Sequence, residues 1–343
     1  MNFPTQFERA TDLSLLPWFE LRDGRVCAID GAYGPVVDAH THLALTFLRR
    51  RSVDLMADHG PCQHYLPMDR PLNLDVYQNL NFEPPTMRAM RSDLGLKSVT
   101  KGGMRKTHTA PALLSEMDEL GINASVLLPI DFPVLSWNAD AYLEVASCCE
   151  RLPSLASVHS HRRKAIEVLA EQKSRGAKGI KVHPGVQLVR PDHPKCMALY
   201  RAAGELEMPV MWHCGPVDIE TALGRRASQL KHYVGAVRDN PETTFVLGHS
   251  GALQWKQGLE IAQNYPNAWL EFSSQSLPVL RELIAKGPRE RMLFGSDWPF
   301  YHQATALAKV LIATEDDHPH RAAILSENVM RLYNLDPALV EGN

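Results

Sequence analysis

Seven times between residues 113 and 295 a helix-like apolar period gives way to a short β-branched run: 113–120 then 124–129, 142–151 then 155–159, 164–175 then 178–183, 197–206 then 209–213, 230–238 then 244–249, 252–265 then 268–272, and 277–286 then 291–295. The run 36–39 precedes them, so the pattern amounts to eight strands separated by helices. Strands joined through helices run parallel and are covered on both faces, and eight is the number that closes a (β/α)8 barrel. Gly121, Gly176 and Gly204 stand where helices must stop before strands. The expected fold is α/β, a (β/α)8 TIM barrel, and 343 residues suffice for one such domain with a large core.

The rhythm breaks once. Residues 44 to 110 follow the first strand with Pro, Arg, Asp and His but little strand pattern. Because the break follows strand one, the insertion leaves from the face where barrel enzymes carry their sites, and a lid or pocket wall is expected. Ahead of the barrel, residues 17–35 read as a hairpin around the Asp23-Gly24 turn signal. Residues 1–35 are therefore a lead-in hairpin, 36–335 the barrel with its 44–110 insertion, and 336–343 a tail, with 321–335 as a closing helix.

Charge excludes some partners. Thirty-six basic against 39 acidic residues, with no polybasic block, argue against a nucleic-acid track or an anionic membrane surface. The N-terminus has no basic segment followed by an apolar core, and no apolar run approaches the length of a membrane span, so a soluble, cytoplasmic protein is expected. Its six cysteines form no Cys-x-x-Cys and are read as reduced thiols. The expected partner is a small-molecule substrate, and a homo-oligomer is compatible with the sequence.

At the strand ends stand His40 and His42, His159 and His161, Lys181 and His183, His213, His249 and Asp297. Two imidazoles two residues apart on a strand share a face and can converge on one divalent ion. A catalytic ion of the zinc type uses three or four N and O ligands and leaves one position open, which barrel strands can deliver to one mouth from distant points of the chain.

In order along the chain, Val-Asp-Ala-His-Thr-His (37–42), Gly-Ile-Lys-Val-His-Pro (179–184), Val-Met-Trp-His-Cys-Gly (210–215), Val-Leu-Gly-His-Ser-Gly (246–251) and Leu-Phe-Gly-Ser-Asp-Trp-Pro (293–299) resemble the amidohydrolase superfamily. The branch they are most similar to is the amidohydrolase-related group, which includes aminocarboxymuconate semialdehyde decarboxylase, aromatic-acid decarboxylases and related lactonases and hydrolases. The resemblance implies that His40, His42, His213 and Asp297 hold one divalent ion and that His249 lies beside it, polarising substrate or water. The ion is expected to be zinc, with manganese or iron suited to the same set, and a second ion enters only if Lys181 is carboxylated.

Asp297 and His249 are the expected catalytic residues, with Lys181, His183, His161 and Trp298 as candidate substrate contacts. The Arg49-Arg50-Arg51 run is read as a solvated face, with an anchor for a substrate carboxylate as its other reading. The expected activity is hydrolysis of an amide, ester or lactone of a small organic substrate through metal-activated water. Non-oxidative decarboxylation of an aromatic or unsaturated carboxylic acid is the alternative. A remote one is a serine esterase of the α/β-hydrolase type, with Ser250 on an elbow-like turn and Asp297 plus His302, His318 or His320 completing a triad.

Overall fold

The computed structural model describes residues 3–48, 50, 52–132 and 136–341. Its centre is a ring of parallel strands: β1 (Val37–Thr41), β2 (Ala124–Leu127), an extended segment at 154–156 named β3, β4 (Ile180–Val182), β5 (Val210–His213), β6 (Phe245–Gly248), β7 (Ala268–Glu271) and β8 (Met292–Leu293). Strands β4 to β8 are neighbours in sequence order, and β1 pairs with β2. The bridges Leu127 to Ser154 and Ala156 to Ile180 join these two groups. The circle closes where Ala39 N–H donates to Phe294 O at 2.9 Å and His42 N–H to Trp298 O at 2.7 Å. The chain is a TIM barrel, as its strand count predicts.

The third strand is shorter than its sequence run of 155–159. Gln172 Oε1 accepts the Ser157 N–H at 3.0 Å, which takes that amide out of the ladder. A second departure lies in β1, whose pairing with β2 slips by one residue between Asp38 and Thr41. Such a bulge re-aims side chains. Val37 and Ala39 belong to a core cluster with Met211, Val246 and Leu293 from other strands, while Asp38 accepts from Gln303 Nε2 (2.7 Å) on the helix after β8. Beyond the slip, His40 and His42 both reach the mouth of the barrel. Val329, Tyr333 and Leu335 of the C-terminal helical stretch join the same cluster at the other end. The ring of Tyr333 packs against Gly179, just before β4.

The lead-in hairpin forms from Phe19–Arg22 and Arg25–Ala28, and a further short strand, Gln6–Phe7, pairs antiparallel with Leu72–Asn73 of the insertion. Buried polar networks join the apolar packing that holds the insertion together. Buried Arg105 donates to Ser52 Oγ (2.8 Å), Thr100 O (2.9 Å) and Thr46 Oγ1 (3.1 Å), and Asp93 accepts from Tyr65 OH (2.9 Å) and the Met104 N–H (2.9 Å). Lys309, buried in the helix after β8, donates to Gln78 Oε1 of the insertion (2.7 Å) and to Gln275 O beyond β7 (2.6 Å). That pair of bonds ties the insertion to the barrel mouth. No helix among the described residues is long and apolar enough to cross a membrane.

Candidate metal centre and cavity

His40 and His42 converge on Asp297. Their Nε2 atoms lie 3.7 and 3.5 Å from its Oδ1. The protons of both rings are assigned by what the other nitrogen meets. His42 Nδ1 is 2.6 Å from Leu128 O and His40 Nδ1 is 2.8 Å from Glu271 Oε2, acceptors that place the hydrogen on Nδ1 and leave the lone pair on Nε2. Burial pushes both imidazoles below their ordinary range, so they are neutral. Burial works to raise the Asp297 carboxyl, but the His42 contact and the neighbouring His40 and His249 outweigh it and hold it below its ordinary value.

Three electron-pair donors facing one another repel unless a cation sits among them. Their separations approach the ~3.4 Å expected between ligands about 2.1 Å from a tetrahedral ion. The outer bonds of the two rings, to a carboxylate and a carbonyl, are the supports that metal-bound histidines use. The three residues can therefore hold a divalent ion. A second grouping, His40, His249 and Glu271, also lies within ligating range. There, however, the His40–Glu271 contact is already a hydrogen bond.

His213 stands beside the first group rather than within it. Its Nδ1 is 3.1 Å from His249 Nε2, and its buried Nε2 has no partner. Its ring stacks on His183 at 3.9 Å with 7° between planes. Lys181 Nζ is 3.3 Å from His40 Nε2, and burial lowers its pKa to about 8. His249 and Asp297 both adopt left-handed backbone conformations (φ 56° and 64°), which for residues other than glycine mark strain held by the surrounding structure.

Beneath the imidazoles lies a carboxylate that the sequence reading passed over. Glu271, at the end of β7, accepts from His40 Nδ1 (2.8 Å), Ser273 Oγ (2.9 Å), the Ser273 N–H (2.6 Å) and the His249 N–H (3.0 Å). Ser273 Oγ also meets His249 Nδ1 at 2.8 Å. The available signal was an acidic residue closing the apolar strand Ala-Trp-Leu-Glu, at the same strand-end position as the histidines. Gly295 makes room for it, since a Cβ there would stand 2.1 Å from Glu271 Oε1.

A cavity of about 410 Å³ opens over these groups. Lys181, His183, His213, His249 and Asp297 line its floor, and Phe47, Phe132, Phe300 and Tyr301 are among its largely apolar walls. The insertion supplies Leu45, Phe47, Tyr77, Asn79 and Leu94, so it is a wall of the pocket. Among the described lining residues Lys181 is the one lysine or arginine. Of the arginine run, Arg50 is exposed, and Arg49 and Arg51 lie outside the described residues.

Two of the expected substrate contacts are placed elsewhere. His161 is exposed, its ring 4.6 Å from that of His193, because β3 ends at 156 and the chain has left the ring by 159–161. His159 bonds Gln187 O at 3.0 Å. Trp298 follows inward-facing Asp297 and so faces the helix layer, where its Nε1 donates to Glu116 Oε2 at 3.1 Å. Glu116 also meets His64 (2.8 Å) and His302 (3.6 Å). Burial would raise its carboxyl, but His302, His64 and a backbone donor bring it down to about 2.

Burial lowers His302 to about 4 from an ordinary 6.5. The folded state thus binds fewer protons than the unfolded one between those values, and stability present above pH 6.5 is lost as pH falls toward 4. The expected contribution is about 3 kcal/mol. In urea unfolding across that window, His302→Asn, which keeps the helix cap the ring makes to the Ala304 N–H, should flatten the pH dependence by a comparable amount.

Ser250 has no triad. Its Oγ donates to Glu271 O at 2.9 Å, and His302 is engaged with Glu116. Ser250→Ala should cost about 1 kcal/mol of stability and leave turnover intact. Abolished turnover with metal retained would restore the serine reading.

The amidohydrolase family model (Amidohydro_2) matches residues 37–335. Nothing among curated proteins matches the chain. Among solved structures, an uncharacterised TIM-barrel protein from Bordetella bronchiseptica is similar at 18% identity and TM-score 0.63, over 88% of this chain and 99% of that one. A 5-carboxyvanillate decarboxylase from Sphingomonas paucimobilis matches at 16% identity and TM-score 0.59, over 88% and 99%. A probable 2-pyrone-4,6-dicarboxylic acid hydrolase from Acinetobacter baumannii matches at 16% identity and TM-score 0.54, over 87% and 99%. At these identities the likenesses speak for the fold. The family match, over most of the chain and across every strand of the ring, establishes that this protein belongs to the amidohydrolase family.

Proposed function

We propose that the protein is a metal-dependent hydrolase of an amide, ester or lactone, with His40, His42 and Asp297 as the ion's ligands and His213, beside them with an unpartnered Nε2, as a fourth. The observation that supports this most is the Asp297 carboxylate, which turns Oδ1 toward the two Nε2 lone pairs while Oδ2 accepts a long bond from Ser274 Oγ (3.4 Å). A divalent ion held there supplies Lewis-acid polarisation and makes water acidic enough to attack near neutral pH. Asp297 takes the proton of the attacking water through its second oxygen and passes it to the leaving group. Lys181 is the donor for the oxygen that becomes negative in the transition state, and His249, oriented by Ser273, lies beside it and positions the substrate. The aromatic walls exclude bulk water and strengthen these interactions.

Decarboxylation is the second reading, favoured by Lys181, a buried cation on the cavity floor able to hold a substrate carboxylate. Screening carboxylic esters, lactones and amides together with ring-labelled and carboxyl-labelled aromatic acids separates the two. The proposal predicts chelator-sensitive release of acid from the first group and no trapped CO₂ from the second. Trapped labelled CO₂ with no hydrolysis would replace it with the decarboxylase.

A further inference from the structure

One wall of the cavity separates it from a second, much smaller void. Leu45, Phe47, Leu94 and Phe300 line both, as does His42. The void, of about 10 Å³ and so with room for about one water, reaches Tyr65, Arg105 and His108 behind them. All four apolar residues are half-buried, so each keeps accessible surface. Phe300 stands edge-on to His42, with ring centroids 6.3 Å apart. The partition thus brings apolar side chains up to a candidate metal ligand.

Phe47 is held in this wall from two sides. Its ring stacks on that of Phe132, in the loop after β2, with centroids 3.4 Å apart and 24° between planes. Buried Asn138 ties the two loops together: its Oδ1 accepts the Thr46 N–H at 2.8 Å, and its Nδ2 donates to Thr46 O at 3.2 Å and to Ile130 O at 2.8 Å. Asp131 fixes Asn138 in turn by accepting its backbone N–H at 2.8 Å. On the other side, Arg105 donates to Leu45 O and to Thr46 Oγ1 (3.1 Å). The backbone is therefore pinned at both residues before Phe47. Such a wall does not yield to a larger ligand without breaking buried hydrogen bonds, which is costly.

We infer that Phe47 is a specificity-determining residue, which sets the upper size limit for a compact apolar group, aryl or short alkyl, carried by the substrate next to the bond that reacts. The inference rests on the reading of His40, His42 and Asp297 as the place where that bond lies. Asn138, which does not line the cavity, is the positioning residue for Phe47. Below the limit, added apolar surface that meets Leu45, Phe47 and Leu94 tightens binding. Beyond it, the ligand and the stacked ring compete for the same space, and affinity falls.

The test is calorimetric binding to the metal-containing protein as isolated, so it requires no turnover. The ligands are benzoate and its 3-alkyl and 4-alkyl derivatives from methyl to pentyl, whose carboxylate resembles the acid that ester hydrolysis releases. In the series whose alkyl group meets Phe47, affinity should rise about two- to fourfold per methylene up to a limit and then fall about tenfold. Phe47→Ala should move that limit outward by about two methylenes or more, and Phe47→Trp should move it inward. Asn138→Ala should shrink the fall beyond the limit to about twofold, while benzoate itself binds within about twofold of its wild-type affinity.

A wild-type series without a limit, or a limit that stays in place in both Phe47 variants, overturns the inference. If benzoate then still binds in a chelator-sensitive way, the strand-end reading stands without it. If the limit moves with Phe47 while binding is indifferent to chelator, Phe47 bounds the cavity and the placement of the reacting bond falls. If no compound binds, both fall together. An Asn138→Ala protein that loses benzoate and its alkyl derivatives alike would show that Asn138 serves the fold as a whole, and would remove it as the positioning residue.

Discussion

Asp297→Asn should lower kcat/KM for the hydrolysed substrate by about a thousandfold or more. The substitution keeps size and shape, so the barrel mouth should not move, but it removes two properties of the site. One is the negative charge that faces the lone pairs of His40 and His42 at 3.7 and 3.5 Å. The other is the oxygen that accepts a proton as water attacks. Steady-state kinetics with metal content measured on the same samples separate these losses. A variant that retains its metal and loses turnover has lost the base, and one that loses both has lost a ligand. Full activity with full metal would remove Asp297 from the mechanism.

Glu271→Ala should have the next largest effect, although Glu271 does not face the cavity. Its removal leaves the His40 Nδ1–H, the His249 N–H and the Ser273 N–H and hydroxyl without their acceptor in a buried place. Metal affinity should fall about 10- to 100-fold, because the carboxylate fixes the tautomer and aim of His40. Stability should fall by about 3 kcal/mol or more from the stranded donors. Gly295→Ala approaches the same point from the other side, with a Cβ 2.1 Å from Glu271 Oε1 and 2.8 Å from His40 Cβ. It should reproduce the loss of metal affinity with Glu271 still in place. Competitive chelation and thermal melts measure both effects, and wild-type metal affinity in both variants would show that His40 is oriented by something else.

The ring of eight strands was legible because parallel strands buried on both faces leave long apolar runs between amphipathic helices. His40, His42 and Asp297 were legible for a related reason, as polar residues at the ends of such runs. Glu271 obeyed the same rule but belonged to no motif that named it. His161 and Trp298 were misplaced by local geometry that periodicity does not carry: the ladder stops where Gln172 takes the Ser157 amide, and alternation past Asp297 turns the indole outward to Glu116. The bulge in β1 was equally silent, although it separates Asp38 from the histidines. The insertion was the least legible part. Part of its order comes from buried polar contacts that join residues far apart in sequence: Arg105 to Ser52, Tyr65 to Asp93 and Lys309 to Gln78. The cavity-lining roles of Tyr77 and Asn79 follow from that packing rather than from any pattern around them.

The most direct test of the metal centre is elemental analysis of the protein purified without chelator, with activity measured before and after chelation. The account predicts about one equivalent of a divalent transition metal per chain, loss of hydrolysis on its removal, and recovery on adding zinc or manganese back. Two equivalents would contradict the single-ion centre and point to a carboxylated Lys181. No metal, with activity indifferent to chelator and to added ions, would contradict the reading of His40, His42 and Asp297 as ligands altogether.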